Sequence, residues 1–358
     1  MKPRTTIHDI ARELNITAAT VSRALNNHPA ISSNTKKAVQ RVARKLNYQQ
    51  NKLASALRSG RSNILGVMIP SAEINFFGSV VHGIQQIANL HNYSIIIYQS
   101  NEQVEYERNG LQAFLHSRVD GIIASVAKGT VDWEHYQDIR KRGVPLVLFD
   151  RAVAELEVPS VIINDYKGGY MATSHLIEQG CRRIAHIAGP HHIRIFQERV
   201  RGYIDALKDH HLPVDESLIA YGSGSIESGR ECAKQFMDSA NPPDGLFAVE
   251  DFTALGAMQY LKENQYRVPD DVAVIGFANE GFSAYITPSL STVDQQTKIM
   301  GEEAARLFFD IADKQEFYKK EPEIRILEPV LICRESSMKK KSDKSTHQNP
   351  TISTKHGS

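Results

Sequence analysis

The spacing of hydrophobic residues changes near residue 60 of the chain. Before this point, apolar positions recur three and four residues apart, which is the spacing of helix faces that pack together. After it, short runs rich in Val, Ile and Leu alternate with helical stretches of roughly 12 to 16 residues. The pattern predicts a small all-α unit at the N-terminus, followed by an α/β core.

Three helices are predicted in the first fifty residues, each from a cap residue and the apolar positions behind it. Thr6 and Asp9 form a capping-box pattern, and Thr17 suits the N-cap of a second helix. The first helix is expected to end at about Leu14, because Asn15 tolerates the left-handed backbone of a tight turn. The third helix is predicted from the cap Ser32-Ser33-Asn34 through Val39, Val42 and Leu46.

The first two helices are predicted to cross closely, as they do in a helix-turn-helix. Ala11 is small enough to permit this, and an apolar cluster would form from Ile10, Leu14, Ile16 and Val21. The second helix would then expose Ala18, Ala19, Thr20, Ser22 and Arg23. Short and basic side chains suit the major groove of DNA, where Arg bonds guanine and Ala contacts thymine methyl groups. The alternative is the solvated helix of an unrelated small bundle.

Eight β-strands are predicted after residue 62, and helical segments separate most of them. Such alternation requires parallel sheets with helices on both faces, whose ligands bind beyond the carboxyl ends of the strands. Candidate binding residues are therefore expected in the loops 75–77, 149–151, 250–251 and 277–280. The predicted strands are residues 64–69, 94–98, 121–126, 145–149, 161–163, 183–188, 246–249 and 272–277.

Charge is distributed unevenly, although the formal net charge of the chain is only +1. Residues 1–61 contain twelve Lys and Arg side chains but only two acidic ones, Asp9 and Glu13. Residues 62–335 carry a net charge of −13, and residues 336–358 carry +4. A basic segment joined to an acidic body is typical of a polyanion-binding module on a regulatory or catalytic domain.

Composition indicates a globular protein, with 41% hydrophobic and 23% charged residues. No apolar run approaches the roughly 18 residues that a membrane span requires, and no signal peptide precedes the first helix. We therefore expect a cytoplasmic protein without a membrane partner. The cysteines, Cys181, Cys232 and Cys333, fit neither a disulfide framework nor a zinc site, so each is expected to be a small buried hydrophobic residue.

Motifs of common enzyme classes do not occur in the sequence. It contains no dinucleotide-binding Gly-x-Gly-x-x-Gly turn after the first strand, no Walker loop, no Gly-x-Ser-x-Gly elbow and no His-Glu-x-x-His helix. The pairs His191-His192 and His210-His211 lack partners at the spacing of helical metal ligands. We expect no enzymatic activity, no catalytic residue, no metal site and no cofactor.

The segment from Thr6 to Tyr48 closely resembles the LacI/GalR (lactose-repressor) family of bacterial transcription regulators. The match has no gap and includes Asp9, Val21-Ser22-Arg23 and Leu46-Asn47-Tyr48. The resemblance implies base and phosphate contacts at Thr17, Ala18, Ala19, Ser22, Arg23 and Asn26. Further DNA contacts are predicted at Thr6, His8 and Thr20.

Residues 51–61 resemble the hinge helix and linker of the same family. The resemblance implies a helix that folds on the operator and inserts a leucine, here Leu57, into the central minor groove; Ala54 is a further predicted contact. Insertion of an apolar side chain unstacks neighbouring base pairs at a cost of roughly a few kcal/mol, but it bends the duplex and enlarges the contact surface. The chain has Gln50 where the family commonly has proline.

The resemblance extends to about Glu335 and implies a two-lobed core like that of the periplasmic binding proteins. Two α/β lobes would be joined by three crossovers, near Asn164, Leu290 and Ile324. The predicted domains are a DNA-binding helix-turn-helix at 1–50, the hinge at 51–61, an effector-binding and dimerisation core at 62–335, and a disordered tail at 336–358. Within the core, lobe 1 is predicted at 62–163 and 291–324, and lobe 2 at 164–290 and 325–335.

The resemblance also implies an effector site in the cleft between the lobes. The implied residues are Ser71, Asn75, Phe76, Asp150, Arg199, Glu250 and Asp251. Such residues suit a polyol, because carboxylates and Arg bond vicinal hydroxyls while an aromatic ring covers the C–H face. Sugar-binding members usually carry two aspartates where this chain has Ala278-Asn279, and Asn279 is a predicted partial substitute. Ion pairs between lobes and helix capping are the alternative roles of the polar residues.

The predicted function is a ligand-responsive repressor, or less often an activator, of carbohydrate-use genes. Its expected partners are a pseudo-palindromic operator, a sugar or phosphosugar effector, and a second copy of the chain, because two-fold DNA sites demand a two-fold protein. The tail contains no Leu, which excludes a leucine-repeat tetramerisation helix. The alternatives are a non-sugar effector, a regulator without an effector, a solute-binding receptor, and an enzyme with a DNA-targeting head.

Overall fold

The computed structural model describes residues 5–48, 60–312, 318 and 321–339. The chain divides into two compact units, Met1–Ser62 and Asn63–Ser358. The predicted hinge contacts Ala54 and Leu57, together with Gln50, lie outside the described residues.

The first unit contains the three predicted helices: α1 (Ile7–Leu14), α2 (Ala18–Leu25) and α3 (Ser33–Lys45). Thr17 and Ser32 cap α2 and α3 by accepting hydrogen bonds from backbone amides, as their types predict. Asn15 ends α1 in the left-handed conformation, with φ 50°. The helices pack around fully buried side chains, which include Ile10, Val21, Ala24 and Val39. The helix-turn-helix prediction is therefore confirmed.

Lobe 1 of the second unit is built on a six-stranded sheet. Its strands are β1 (Ile64–Ile69), β2 (Ser94–Gln99), β3 (Gly121–Ala124), β4 (Leu146–Phe149), β5 (Ser160–Ile163) and β11 (Ile324–Leu327). The spatial order is β11-β5-β4-β3-β1-β2, and every pair is parallel. Apolar clusters cover both faces, with helices α4 (Asn75–Leu90), α5 (Val104–His116), α6 (Glu134–Lys141) and α11 (Thr297–Ala312).

Lobe 2 repeats this architecture with its own six-stranded sheet. Its strands are β6 (Ile184–Ala188), β7 (Ile219–Tyr221), β8 (Gly245–Ala248), β9 (Ala273–Phe277), β10 (Ser291–Asp294) and β12 (Val330–Ile332). The order is β12-β10-β9-β8-β6-β7, with only the β10–β12 pair antiparallel. The helices are α7 (Asp165–Glu178), α8 (Arg194–Asp209), α9 (Ile226–Met237) and α10 (Asp251–Glu263). In the part of the chain described, no helix is long and apolar enough to cross a membrane.

Two of the three predicted crossovers lie later in the chain than expected. The first follows β5 at Asn164, as predicted. However, β10 pairs with β9 and so belongs to lobe 2, while β11 pairs with β5 and so belongs to lobe 1. The second and third crossovers therefore follow Asp294 and Leu327 rather than Leu290 and Ile324. The predicted boundaries fall before β10 and one residue into β11, and neither segment is an uninterrupted apolar run.

The folded chain also continues past the predicted end of the core at Glu335. Ser336 and Ser337 are fully buried, and the Ser336 hydroxyl accepts from the amide of Ser291 and donates to the carbonyl of Val274. A polar composition suggested a tail here, but each of these hydroxyls has a partner inside the lobe. The tail prediction for residues 336–339 is therefore wrong, and residues 340–358 lie outside the described residues.

The thiol predictions hold for two of the three cysteines. Cys181 and Cys232 are buried, and burial raises the pKa of both thiols. Cys333 is exposed, contrary to expectation, because it follows the edge strand β12.

Candidate nucleic-acid interface and effector cleft

The DNA-contact residues predicted in the first unit are all accessible to solvent in full or in part. Helix α2 buries Val21 and Ala24 and presents Ala19 and Arg23 to solvent. Among the described residues, no acidic side chain forms an ion pair with Arg23. The surface of α2 therefore leaves an Arg side chain free to bind a base edge.

Hydrogen bonds fix the polar residues at the two ends of α2. The Thr17 hydroxyl lies 3.1 Å from the amide of Thr20, which donates to it, and 2.9 Å from the Thr20 hydroxyl. At the other end, Asn26 Nδ2 donates to the carbonyl of Ser22 at 2.9 Å. Local hydrogen bonds therefore hold the predicted contact residues at both ends of α2.

The acidic residues of the first unit are used inside the unit. Asp9 lies 3.5 Å from Arg12, and Glu13 lies 2.7 Å from Lys45. The basic side chains that form no ion pair within the described residues are Arg23, Lys36, Lys37, Arg41 and Arg44. The unit therefore carries an uncompensated positive charge, as a DNA-binding module requires.

A cavity of about 400 Å³ lies between the two lobes of the second unit. Five of the predicted effector residues line it: Phe76, Asp150, Arg199, Glu250 and Asp251. The strand ends and helix starts of both lobes meet here, as expected for parallel sheets. The predicted Ser71, Asn75 and Asn279 are not among the residues that line it.

Asp150 enters the cavity from the end of β4. Its backbone is left-handed, with φ 60°, and its amide donates to the carbonyl of Val161 at 3.0 Å. The carboxylate lies 3.7 Å from Arg151 Nε and accepts no hydrogen bond from the described residues. Burial raises its pKa, against the opposing charges of Arg151 and Arg199. Asp150 is thus a buried acceptor that a ligand can satisfy.

Arg199 is held from several sides by the protein itself. Its Nε donates to Asp165 Oδ1 at 2.8 Å, and its Nη1 donates to the carbonyl of Val249 at 2.7 Å. The guanidinium lies 3.6 Å from the ring centroid of Phe277. Burial raises the pKa of Asp165 to about 7, although Arg199 opposes the shift. Arg199 therefore forms part of the cavity wall and of the lobe 2 core at once.

Asp251 organises the loop that follows β9. Its Oδ2 accepts from the amide of Glu280 at 2.7 Å, and its Oδ1 accepts from the Thr292 hydroxyl at 2.6 Å. Burial raises its pKa to about 7, and these two hydrogen bonds oppose the shift. The alternative role that the sequence left open, a structural one, fits Asp251 because both of its oxygens already have donors.

Several contacts between described residues of the two lobes cross the cleft. Lys128 Nζ lies 3.6 Å from Glu250 Oε1, and His192 Nε2 lies 2.9 Å from the carbonyl of Lys128. The amide of Phe76 donates to Glu280 Oε1 at 3.3 Å. Each contact joins lobe 1 to lobe 2, so a ligand that changes the orientation of the lobes must change these contacts.

Sequence reasoning missed several cavity residues. The missed charged and amide residues are Glu102, Lys128, Glu227 and Gln295, whereas Arg151 and Glu280 lie in the predicted loops 149–151 and 277–280. Lys128 follows β3, so the rule of searching loops after strands would have found it, and Gln295 follows β10, which was not predicted as a strand. Asn279 instead donates to Asp294 at 3.0 Å and accepts from Arg334 at 2.9 Å, so it holds the loop beside the cavity.

The chemistry of the cavity suits a ligand with hydroxyl groups and an apolar face. Arg151 Nε and Gln295 Oε1 are buried and have no hydrogen-bond partner. Phe76, Phe77 and Phe252 supply aromatic surface. A hydroxyl can donate to the Asp150 carboxylate, which accepts no hydrogen bond from the described residues. Among the described residues, no cluster of His, Cys, Asp or Glu has the arrangement of a metal site.

Comparison with known proteins assigns both parts of the chain. Residues 6–51 match the family of bacterial regulatory proteins of the lacI type, and residues 173–337 match a periplasmic binding protein-like domain. The chain is 30% identical to the ribose operon repressor of Halalkalibacterium halodurans over 311 residues, which cover 87% of this chain and 91% of that protein.

Solved structures give the same result. A complex of the transcriptional regulator CelR with cellobiose is 30% identical, with a TM-score of 0.70 over 93% of this chain and 100% of the other. The lac repressor dimer bound to operator and an anti-inducer has a TM-score of 0.83 at 23% identity, over 94% of this chain and 100% of that one, which shows a common fold.

Proposed function

Because this chain belongs to the lacI family of bacterial regulatory proteins, we propose that it is a sequence-specific repressor whose affinity for operator DNA is set by a sugar. The observation that carries the proposal is the pairing of a basic helix-turn-helix unit with a second unit that encloses a polar and aromatic cavity. A ribose operon repressor and a cellobiose-bound regulator among its relatives support a sugar as the effector. We assign no catalytic role to the cleft.

Helix α2 is the proposed reading helix in the major groove. Arg23 is proposed to bond a guanine edge, and Ala18 and Ala19 to contact thymine methyl groups. The other proposed DNA contacts in this unit, to bases or phosphates, are Thr6, His8, Thr17, Thr20, Ser22 and Asn26. The side chains on α3, such as Lys37 and Arg41, supply attraction to phosphates that does not depend on sequence. Ala54 and Leu57 are proposed minor-groove contacts of the hinge.

The effector is proposed to act through the orientation of the lobes. The crossovers after Asn164, Asp294 and Leu327 are the covalent connections between them, and the contacts of Lys128 and Glu280 are among those that cross the cleft. A sugar that binds one orientation of the lobes more tightly stabilises that orientation. Because the two orientations are proposed to differ in affinity for DNA, binding of the sugar changes the affinity of the protein for DNA. Ser71, Asn75 and Asn279 remain proposed effector residues only for an orientation other than the one described.

A homodimer is proposed as the active form, because two copies of α2 are needed for a two-fold operator. The edge strand β2 offers a surface for this, since Ile96 and Ile97 are 36% and 48% exposed. Unpaired edges with apolar side chains are stabilised by pairing with another chain. We place the dimer in the cytoplasm, where its DNA is found.

Selection from a pool of random duplexes tests the proposed function. The full chain should enrich an inverted repeat, whose two half-sites follow from two-fold symmetry. The control is a variant with Arg23→Ala and Ser22→Ala, which should enrich no motif while retaining salt-dependent binding. Failure of the unaltered protein to enrich any sequence at moderate salt would refute the proposal.

A further inference from the structure

The cavity between the lobes has an excess of acidic side chains. Among the described residues, three cationic side chains line it: Lys128, Arg151 and Arg199. Six acidic side chains of the same part of the chain line this space, and burial raises the pKa of three of them, Asp150, Asp251 and Glu280; the other three are Glu102, Glu227 and Glu250. A cavity with this ratio favours ligands that carry no negative charge.

Each cation of the cavity is already paired with a protein carboxylate. Arg151 Nη1 donates to both oxygens of Glu102, at 3.0 and 2.9 Å. Arg199 is paired at 2.8 Å with Asp165, a residue behind the cavity wall. Lys128 lies 3.6 Å from Glu250. Inside this cavity, an incoming anion would therefore have to displace a protein carboxylate to gain a cationic partner.

Helix N-termini are the second usual site for anions. Four helices have a first-turn residue in the wall of this cavity, and three of them have protein acceptors already in place, whereas α8 has neither a side-chain cap nor an acidic residue in its first turn. The amide of Phe76 in α4 donates to Glu280 Oε1 at 3.3 Å. In α9, the Ser225 hydroxyl accepts from an amide of the first turn, and Glu227 lies in the same turn. Asp251 occupies the first turn of α10. The positive ends of these three helices are thus compensated by the protein.

The Asp150 carboxylate lines the cavity and accepts no hydrogen bond from the described residues, so it requires a donor from the ligand. Phosphate and carboxylate groups of a ligand offer acceptors alone and cannot supply that donor. A hydroxyl group can donate to Asp150, and the ring of Phe76 can cover the C–H face of a sugar.

We propose that the effector of this cleft is an uncharged, hydroxyl-rich molecule, and that the carboxylates of the cavity exclude sugar phosphates and uronic acids. The inference rests on the proposed function and narrows it to one class of effector. A phosphate monoester brings about −1.5 to −2 charges at neutral pH. Burial of a phosphate group beside the cavity carboxylates, where each cation is already paired, combines electrostatic repulsion with the loss of hydration.

A second cavity, of about 360 Å³, adjoins the first along Lys128, Arg151 and Ile195. It is lined by Arg194 and His192, and in the described part of the chain Arg194 forms no ion pair. An anionic substituent would have to reach this second cavity in order to bind. The direct test is therefore a comparison of free sugars with their own charged derivatives.

Matched sets of ligands supply the probes: ribose with ribose 5-phosphate, glucose with glucose 6-phosphate and glucuronate, galactose with galacturonate, and cellobiose and adenosine as larger neutral compounds. Thermal stabilisation of the full-length dimer, followed by calorimetric titration of the hits, measures affinity. At least one neutral compound should bind, and its charged counterpart should bind at least about tenfold more weakly.

The variant Glu227→Gln tests whether charge causes the discrimination. Glu227 is exposed at the cavity and spans no lobe contact, so its amide variant should fold. The preference for neutral over charged sugar should fall by about threefold or more, and added salt should have the same effect. Glu231→Gln is the matched control, since Glu231 is exposed on the same helix but does not line the cavity.

Two results would overturn the inference. One is a phosphorylated or carboxylated sugar that binds the unaltered protein as tightly as the free sugar, or more tightly. The other is a complete lack of binding by every neutral compound. If the protein still enriches an inverted repeat from random DNA, either result refutes only the inference about the effector. If the protein also selects no DNA sequence, the proposed regulatory function is refuted as well.

Discussion

Arg199 of α8 and Asp165 of α7 form an ion pair at 2.8 Å between side chains that are 1% and 5% exposed. The family resemblance assigns Arg199 to the ligand, yet the pairing shows that it also joins two helices of lobe 2. Removal of one member of a buried pair leaves the other charge without a partner, which is costly. The stability of the lobe and the shape of the ligand site therefore depend on the same side chain.

Replacement of Arg199 by Ala should reduce the free energy of unfolding by about 3–5 kcal/mol. Urea denaturation followed by circular dichroism measures the change. Arg201→Ala is the matched control on the same helix, because Arg201 is exposed and pairs with Glu198 at the surface. The control should lose less than about 1 kcal/mol. Equal losses in the two variants would show that Arg199 has no structural role.

Asp251 should give the protein a distinctive dependence of stability on pH. Burial raises its pKa to about 7 in the folded state, above the ordinary value of 3.8. The folded protein thus binds more protons than the unfolded chain between these values. The stability that this group contributes is fully present below pH 4 and is lost as the pH rises towards 7.

The free energy of unfolding of the unaltered protein, relative to that of Asp251→Asn, should fall between pH 4 and pH 7 and level off above it. The slope should reach at most about 1.4 kcal/mol per pH unit, the value for one proton. Asp271→Asn is the control, since Arg267 lowers the Asp271 pKa to about 2. Its difference should be flat above about pH 5 and should fall only as the pH drops below that, the opposite direction to Asp251. A flat difference for Asp251→Asn would contradict the assignment.

Arg23→Ala should weaken binding to the selected operator by about 1–3 kcal/mol and relax the preference at one base pair of each half-site. Lys37→Ala, at an exposed residue of α3, should weaken binding to all sequences alike and reduce the salt slope by about one per site. Fluorescence anisotropy with single-base operator variants separates the two effects. A uniform loss across all variants for Arg23→Ala would show that Arg23 contacts phosphate instead.

Ile97→Asp should dissociate the proposed dimer. A charged side chain at the centre of an apolar dimer interface would be buried without a partner, which costs on the order of several kcal/mol. Sedimentation equilibrium measures the change, with Val131→Asp as a control because Val131 is 75% exposed and lies on no strand. An unchanged dimer would show that β2 is not in the interface.

The parts of the fold that depend on local chemistry were predictable from the sequence. Thr17 and Ser32 cap their helices through amides only three residues away, so the signal lies within one turn. The eight predicted strands are apolar runs, and each corresponds to a strand in the structure.

The strands that were missed are stabilised by partners far along the chain. β10 reads Ser-Thr-Val-Asp, and its buried residues Ser291 and Thr292 bond to Ser336 and Asp251. β11 alternates exposed and half-buried residues at the edge of its sheet, so it lacks a continuous apolar run. Short strands of this kind cannot be distinguished from loops by periodicity alone.

The candidate site was predictable in part. Asp150 and Arg199 were found from the family resemblance and do line the cavity, but the partner of Arg199, Asp165, lies 34 residues away. Arg151 Nε and Gln295 Oε1 are buried without a hydrogen-bond partner, which no sequence pattern indicates. A sequence pattern identifies which residues follow strands, and the three-dimensional structure determines which of their atoms already have partners.

Control of DNA binding by the cleft is tested by the affinity of the purified full-length protein for its selected operator, measured by anisotropy with and without a saturating sugar that binds the cleft. We predict that the sugar shifts the operator affinity by about 5- to 150-fold, the usual range of such coupling, and that the operator shifts the affinity for the sugar by the same factor. An operator affinity that stays the same when the cleft is filled would show that the cleft does not control DNA binding.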